Sequence, residues 1–433
     1  MSNFKKKFDI FFKVSNIDIL KKMNLENIYQ KNILSRYPNE KIDDIYPIDY
    51  IDSKINRTVF KYPVYSIDPE GCEDADDGFS LWTENNKTFL AIHIADPTAF
   101  IPIDSGSNSL FQLLKKKCTS YYPSNYKPIH MLPKKILSRS SLIEDSDESS
   151  IKFAISLILE IDKITFLPIN TSFQSLNFTI INCNNKFRYN YETACLSNDN
   201  IIKYCIKIGS ALRRHRCKSI KLNSKTKIKF KEPFKAPYYH NISNIQLSIQ
   251  HMIEEFAIYA NSFVGNYLYY YLCLKNIAGN NYNAIFRSCK VDQIYSKSLV
   301  LKNENEIFSF LINEGISAKY TNHPEYHDMI NREQLYTHFT SPIRRFSDCI
   351  CHYLLKYIYI YNKNENKISI PPPFSANELK HMIDLIHIKS KYSKKVSLED
   401  NKFRNIQCIH SYINKSLQVK INCEYNDQIF LDK

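Results

Sequence analysis

The sequence predicts an α+β fold of mixed sheets with surrounding helices, and three observations carry that expectation. Apolar and polar residues alternate with a period of two, most clearly in Ile151-Lys152-Phe153-Ala154-Ile155-Ser156-Leu157, and such strand patterns dominate from 59 to about 185. Helical patterns prevail afterwards, over 200–216, 248–274 and 377–414. The 433 residues are 44% hydrophobic and 13% aromatic, enough for a substantial core and unlike a disordered chain, and length alone allows two or three domains.

The elements follow in order. Residues 1–57 carry short helical patterns rich in Lys and Asn, 16–29 for example, and read as a small N-terminal extension. Val64-Tyr65-Ser66-Ile67, behind Pro63, is a β-branched and aromatic run that delivers Asp68 at a strand end. Pro69, Gly71 and Gly78 mark a loop, after which Phe79-Ser80-Leu81-Trp82 and Phe89-Leu90-Ala91-Ile92-His93-Ile94 form a hairpin turning at Asn85-Asn86. A helix is expected after Arg345 through Ile350, Leu354 and Leu355, and Ile370-Pro371-Pro372-Pro373 is a loop within the domain. The apolar stretch 256–274 is broken by Asn261, Ser262 and Asn266, so it reads as a buried helix and not as a membrane span. No internal repeat is present.

Asp68-Pro69-Glu70-Gly71-Cys72-Glu73-Asp74-Ala75-Asp76-Asp77-Gly78 places four aspartates within ten residues. At an effective dielectric of ~20, two carboxylates ~4 Å apart repel by roughly 4 kcal/mol, so a folded site gathering four of them takes up protons or binds hard cations. Oxygen donors without a His or Cys ligand cluster suit Mg²⁺ or Mn²⁺ and argue against Zn²⁺. An acidic surface loop is the plainer alternative. An EF-hand is excluded by the spacing of Asp74, Asp76 and Gly78.

A second segment, Tyr336-Thr337-His338-Phe339-Thr340-Ser341-Pro342-Ile343-Arg344-Arg345-Phe346, sets two arginines at a helix start, where the macrodipole disfavours cations. A compensating anion is therefore expected, with phosphate the natural candidate and a local carboxylate the alternative.

Together these residues resemble the RNB catalytic domain of the ribonuclease II and ribonuclease R family of 3′→5′ exoribonucleases. The resemblance rests on the Asp68 to Gly78 segment, His93-Ile94-Ala95-Asp96, Met131-Leu132-Pro133 and the Thr337 to Arg345 run. Tyr121-Tyr122-Pro123, Ile253-Glu254-Glu255-Phe256 with Ala260-Asn261, and Ala284-Ile285-Phe286-Arg287 match more weakly, and all appear in the family's order from about 59 to about 412. The resemblance implies an RNB domain over 58–416, with a channel to a buried metal site, and a C-terminal tail over 417–433. It implies that Asp68, Asp74, Asp76 and Asp77 bind Mg²⁺, or Mn²⁺, and orient the attacking water, and that Arg344 lies next to the scissile phosphate. It also implies that Tyr121 stacks on a base near the 3′ end, a contact worth roughly 1–3 kcal/mol whichever base is present. Glu254 or Glu255 is expected near the terminal nucleotide, and Glu399 matches a late family glutamate. Ser341 and Arg345 join Arg344 as expected RNA contacts, with Ser341 bonding phosphate or backbone and not acting as a nucleophile.

The chemistry of phosphodiester hydrolysis fits such a set. Two Mg²⁺ ions ~3.5–4 Å apart activate water, neutralise the transition state and stabilise the leaving oxygen, while Arg344 adds charge to the non-bridging oxygens. The net charge of +14 suits a polyanion such as single-stranded RNA, although AT-biased coding also enriches Lys, Asn and Ile. If Z phosphates are neutralised, log affinity falls with log salt at a slope of about −0.7Z.

The remaining groups read more plainly. Twelve cysteines are scattered, and Cys349-Ile350-Cys351-His352 lacks a C-x₂-C partner, so reduced, mostly buried thiols are expected. Lys115-Lys116-Lys117, just before Tyr121, are expected at RNA, and Arg213, Arg214 and Arg216 form either a solvated face or an RNA contact. His93, His338 and Asp96 are expected to brace the fold. The basic start has no long apolar core or cleavage site, and a cytoplasmic setting is expected, with organellar or viral settings left open.

Cellular members of the resembled family carry two cold-shock-type barrels before the catalytic segment and a further barrel after it, for which this chain has no room. Low processivity is expected unless a helicase or RNA-binding partner supplies the grip. Two other classes stay in play: a catalytically silent RNB-like RNA-binding or scaffold protein, and a two-metal phosphoesterase acting on DNA or on internal bonds.

Overall fold

Five strands close into a barrel, and the carboxylate loop leaves it between two neighbouring strands. In this computed structural model the described residues are 25–37, 54–103, 109–124, 126–144, 150–169, 172, 175–216, 243–279, 282–289, 318–328, 330–364 and 370–414. Most of the expected N-terminal extension and the tail over 417–433 lie outside them.

The main sheet contains β1 (Thr58–Val59), β2 (Val64–Asp68), β3 (Asp77–Glu84), β4 (Lys87–Ala95), β5 (Ile151–Ile161), β6 (Pro168–Ile169) and β7 (Leu176–Asn190). Its order is β1-β7-β2-β3-β4-β5-β6, and β5 also pairs with β7, which closes β2, β3, β4, β5 and β7 on one another. The β3–β4 hairpin turns at Asn85 (φ 50) and Asn86 (φ 62), the two left-handed residues that a type I′ turn requires. Both faces of the barrel are buried. On one, Phe79 meets Phe256 of a covering helix. On the other, His93 bonds Ser80 (3.0 Å) and Ser156 (2.7 Å), which in turn bonds Thr179 (2.6 Å). With Phe60 against its ring, burial pushes His93 down to about 3, in line with its expected bracing role.

The helices are α1 (Leu25–Asn32), α2 (Leu110–Lys117), α3 (Lys134–Ser140), α4 (Tyr191–Leu196), α5 (Asn200–Arg216), α6 (Asn244–Leu268), α7 (Phe346–Lys363) and α8 (Ala376–Asn414). A π turn, Tyr269–Leu274, extends α6. Two small antiparallel sheets, β8 (Phe286–Ser288) with β9 (Lys319–Thr321) and β10 (Tyr326–His327) with β11 (Asn331–Leu335), complete the described strands. At Gly265 of α6 an added Cβ would meet Leu335 O at 2.6 Å, so glycine lets the chain leaving β11 pass close to the helix. None of the helices among the described residues is long and apolar enough to cross a membrane.

Two features tie distant parts together. Asp96, at the end of β4, is fully buried and contacts Arg57, Lys356 (3.1 Å), His352 (3.3 Å) and Thr98 (2.6 Å). Burial opposes its charge, but Lys356 and Arg57 outweigh burial and hold the carboxyl well below the usual range. A second apolar cluster joins Leu25, Tyr29, Ile33 and Tyr37 of the N-terminal segment to Tyr121, and to Val396, Phe403 and Ile406 of α8. Tyr37 there donates to Asp400 (2.8 Å), and Arg36 pairs with Glu399.

Candidate active site

β2 ends at Asp68 and β3 begins at Asp77, so the barrel itself fixes both ends of the carboxylate loop. The middle is pinned by three backbone contacts: Ala75 N–H donates to Ser141 Oγ (3.0 Å), Ala75 O accepts from Leu142 N–H (2.9 Å), and Asp76 O accepts from Ala95 N–H (2.8 Å).

Asp76 reaches across the molecule. One carboxylate oxygen accepts from the backbone N–H of Ile343 (2.8 Å), 267 residues away, and the other from Arg344 Nε (2.9 Å). The guanidinium of Arg344 also donates to Ser341 Oγ (3.1 Å), and its side chain is 47% exposed where Asp76 is buried. The main chain of Arg344 is held as well, because its carbonyl accepts from Ser120 N–H (3.0 Å) and Thr119 Oγ1 (3.0 Å). Burial pushes Asp76 up to about 8 despite Arg344, and also raises Asp77. Burial and the neighbouring Asp77 push Asp68 up to about 7.

These shifts describe carboxylates that need a proton or a cation, and one atom fits that need directly. Asp68 Oδ2 is buried and has no hydrogen-bond partner. Asp68 Oδ2, with Asp77 close enough to raise its carboxyl, is where a divalent ion could be held. Asp74 already accepts from the Tyr122 hydroxyl, and both oxygens of Asp76 are engaged. Among the described residues no three His, Cys, Asp or Glu side chains converge as a ready metal cage.

The structure brings Asp68, Asp74, Asp76, Asp77, Ser341 and Arg344 together, and it separates the rest. The anion expected to balance the two arginines is carboxylate in both cases: Asp76 for Arg344, and Asp348 for Arg345 through Nε (3.0 Å) and Nη2 (2.8 Å). The phosphate inferred from the helix dipole is therefore not required, because α7 begins with its own acid. Tyr121 is 2% exposed and meets Tyr37 edge-on (5.7 Å), while its neighbour Tyr122 is 48% exposed and touches Asp74. Glu255 is the inward member of its pair. It is buried against Arg216 (2.5 Å) and Arg213 (3.4 Å) between α5 and α6, whereas Glu254 is exposed and meets Arg213 at 3.4 Å. Glu399 is taken by Arg36. Lys117, expected at RNA, is instead buried, and its ammonium donates to the His130 carbonyl.

Three contributors escaped the sequence reading. Asn261 donates to Tyr336 OH (3.0 Å) and Thr340 Oγ1 (3.2 Å) and accepts from Phe339 N–H (2.7 Å), so it shapes the segment leading to Arg344. Its signals were a polar break in an apolar stretch and its place beside Ala260 in one of the weaker family matches, neither of which gave it a role. Tyr122 caps Asp74, and His130 lies 3.2 Å from Glu73 and 3.8 Å from Asp74.

Comparison with known proteins agrees with this geometry. The RNB domain model matches residues 57–360. A ribonuclease R of Aquifex aeolicus is 24% identical over 379 residues, covering 78% of this chain and 51% of its own length. The match spans between a third and about half the length of the curated relatives. A solved Mycoplasma genitalium RNase R, in complex with ribose methylated single-stranded RNA, superposes with a TM-score of 0.62 at 16% identity, over 89% of this chain and 64% of that one. Yeast Ssd1, described as a pseudonuclease, superposes with a TM-score of 0.63 at 16% identity, over 89% of this chain and 50% of that one.

Proposed function

We propose that this chain, which belongs to the RNB domain family, hydrolyses single-stranded RNA from the 3′ end and releases nucleoside 5′-monophosphates. The observation that carries the reading is the contact of Asp76 with Ile343 N–H and Arg344, which joins the two most informative sequence segments at one place.

Asp68 and Asp77 would hold a divalent ion, Mg²⁺ or Mn²⁺, which when bound supplies positive charge at the phosphate and a more acidic water. Asp74 and Asp76 would serve a second ion, as two-metal hydrolysis requires, only by giving up Tyr122 and Ile343 or Arg344. Arg344 presents its half-exposed guanidinium to the non-bridging oxygens, where negative charge grows during attack. Asp76 fixes that guanidinium through Nε and Ser341 through Nη2, so the remaining N–H groups face outward without a conformational search.

One observation favours a second reading, an RNA-binding protein that does not cleave. Asp74 and Asp76 are already satisfied, and the fold is shared with a pseudonuclease. The test is degradation of 3′-labelled and 5′-labelled single-stranded RNA, DNA and circular RNA, with Mg²⁺ or EDTA, by the wild type and Asp76→Asn. Release of mononucleotides from the 3′ end of linear RNA, lost in EDTA and reduced about 10²–10³-fold in the variant, supports the nuclease. Binding without cleavage supports the silent reading. Cleavage that survives both EDTA and the substitution overturns the site.

A further inference from the structure

Arg287, on β8, is a buried cation that the site described above does not use. It is 9% exposed, and among the described residues no carboxylate lies within ion-pair distance of it. Its guanidinium lies over the Tyr320 ring, 4.5 Å from the centroid. A cation–π contact leaves the charge unneutralised, and a buried charge without a counter-ion is strongly disfavoured. Of the acids nearby, Asp348 is committed to Arg345, and Glu325 to Lys319 (3.5 Å) and Ser288 (3.0 Å), while Asp328 beside Cys289 and Asp384 beside His387 make no ion pair with Arg287.

The surroundings are basic. Lys394, exposed on α8, lies close enough to be lowered by burial and by Arg287, and His387, lowered by burial, feels Lys391, Arg287 and Lys319 against the single acid Asp384. A second buried group also lacks a partner: His327 is 7% exposed and its Nδ1 has no hydrogen bond. Its ring meets Tyr336 edge-on (5.6 Å). Arg287 and Tyr320 adjoin the segment that ends at Arg344, since Arg287 N–H donates to Tyr336 O (2.8 Å) and Tyr320 OH bonds His338 Nδ1 (2.6 Å).

We propose that Arg287, with Lys394 at its rim, binds a phosphate of the RNA strand at a linkage away from the one being cut. This rests on the RNA reading given above. An arginine fork matches a phosphate bidentately, and a strand phosphate supplies the anion that no described side chain within ion-pair distance of Arg287 does.

The test is equilibrium binding of fluorescent single-stranded RNA in EDTA at several salt concentrations, with Arg287→Met and Lys394→Met. Each variant is expected to weaken binding, Arg287→Met roughly ten- to hundredfold, and to flatten the slope of log affinity on log salt by about 0.7. RNAs carrying one uncharged methylphosphonate are the second readout. Wild type should lose affinity at one linkage distant from the 3′ terminus, and Arg287→Met should be insensitive there, which a merely structural role would not produce. If Arg287→Met fails to fold, the exposed Lys394→Met carries the same slope and scan. Unchanged slope and scan with a wild type that binds RNA overturn this proposal alone. Altered competition by a free nucleoside 5′-monophosphate with an unchanged scan overturns the strand assignment. A wild type that binds no RNA overturns the RNA reading as well.

Discussion

Asn261 does at the level of a single side chain what a loop of this shape cannot do alone. Its amide satisfies Tyr336, Phe339 and Thr340 at once, and all of them are buried. Asn261→Ala leaves those groups without partners, at about 1–3 kcal/mol for each buried group left unsatisfied. We expect a lower urea midpoint, and a fall in kcat larger than the change in KM, because Arg344 loses its register. Unchanged kcat in a folded variant would show that the segment holds itself. His93 makes a pH prediction. Its folded value of about 3 lies below the ~6.5 of an unfolded histidine, so the native state keeps it neutral while the unfolded chain takes up a proton. Its contribution is present above pH ~6.5 and is lost as pH falls toward 3, with a limiting slope of about 1.4 kcal/mol per pH unit. His93→Gln, compared with wild type by urea unfolding at pH 5 and pH 7, should show less acid destabilisation; equal pH slopes would contradict this.

Residue chemistry was legible where the type alone decides. Four close aspartates and an Arg-Arg pair each call for counter-charge whatever the fold, and a carboxylate partner for the arginines was the alternative to phosphate. Direction was not legible. Tyr121 and Tyr122 sit side by side on extended chain, where neighbours face opposite ways, and only burial by α8 and the N-terminal segment decides that Tyr122 meets Asp74. Glu254 and Glu255 are a fraction of a turn apart on α6, and the arginines of α5 select the inner one.

Among the elements, the strands and long helices followed their periodicity closely. α5 occupies 200–216 as expected, β2 delivers Asp68, and the hairpin turns on its two asparagines. What periodicity could not reveal is the docking of α1 and Tyr37 onto α8, whose partners lie 363 residues apart. Phe403 is central there, buried against Tyr29 with ring centroids 5.4 Å apart. Phe403→Ala is expected to cost about 3–5 kcal/mol of local stability. Hydrogen exchange should speed up together in 25–37, 121–129 and the C-terminal part of α8, while the barrel strands stay protected. Faster exchange in β4 and β5 as well would mean that the two clusters are one cooperative unit.

Across the whole molecule the barrel and the site have different requirements. Barrel closure needs β2 to β7, and the lone tryptophan reports it: Trp82 stacks on Tyr62 (4.6 Å) and Phe89 (5.3 Å). The site needs in addition the distant Ile343 and Arg344. Contacts of such separation form slowly, so after dilution from urea the Trp82 signal should recover before RNA cleavage does. Cleavage that returns ahead of Trp82 fluorescence would contradict the order.

The same bridge governs what happens during synthesis. A ribosome building this chain adds the aspartates early, yet Arg344 is polymerised only once about four-fifths of the 433 residues have been joined. For most of translation, therefore, Asp76 has neither Ile343 nor Arg344 to bind, and the two halves of the site meet only as the last helices are added.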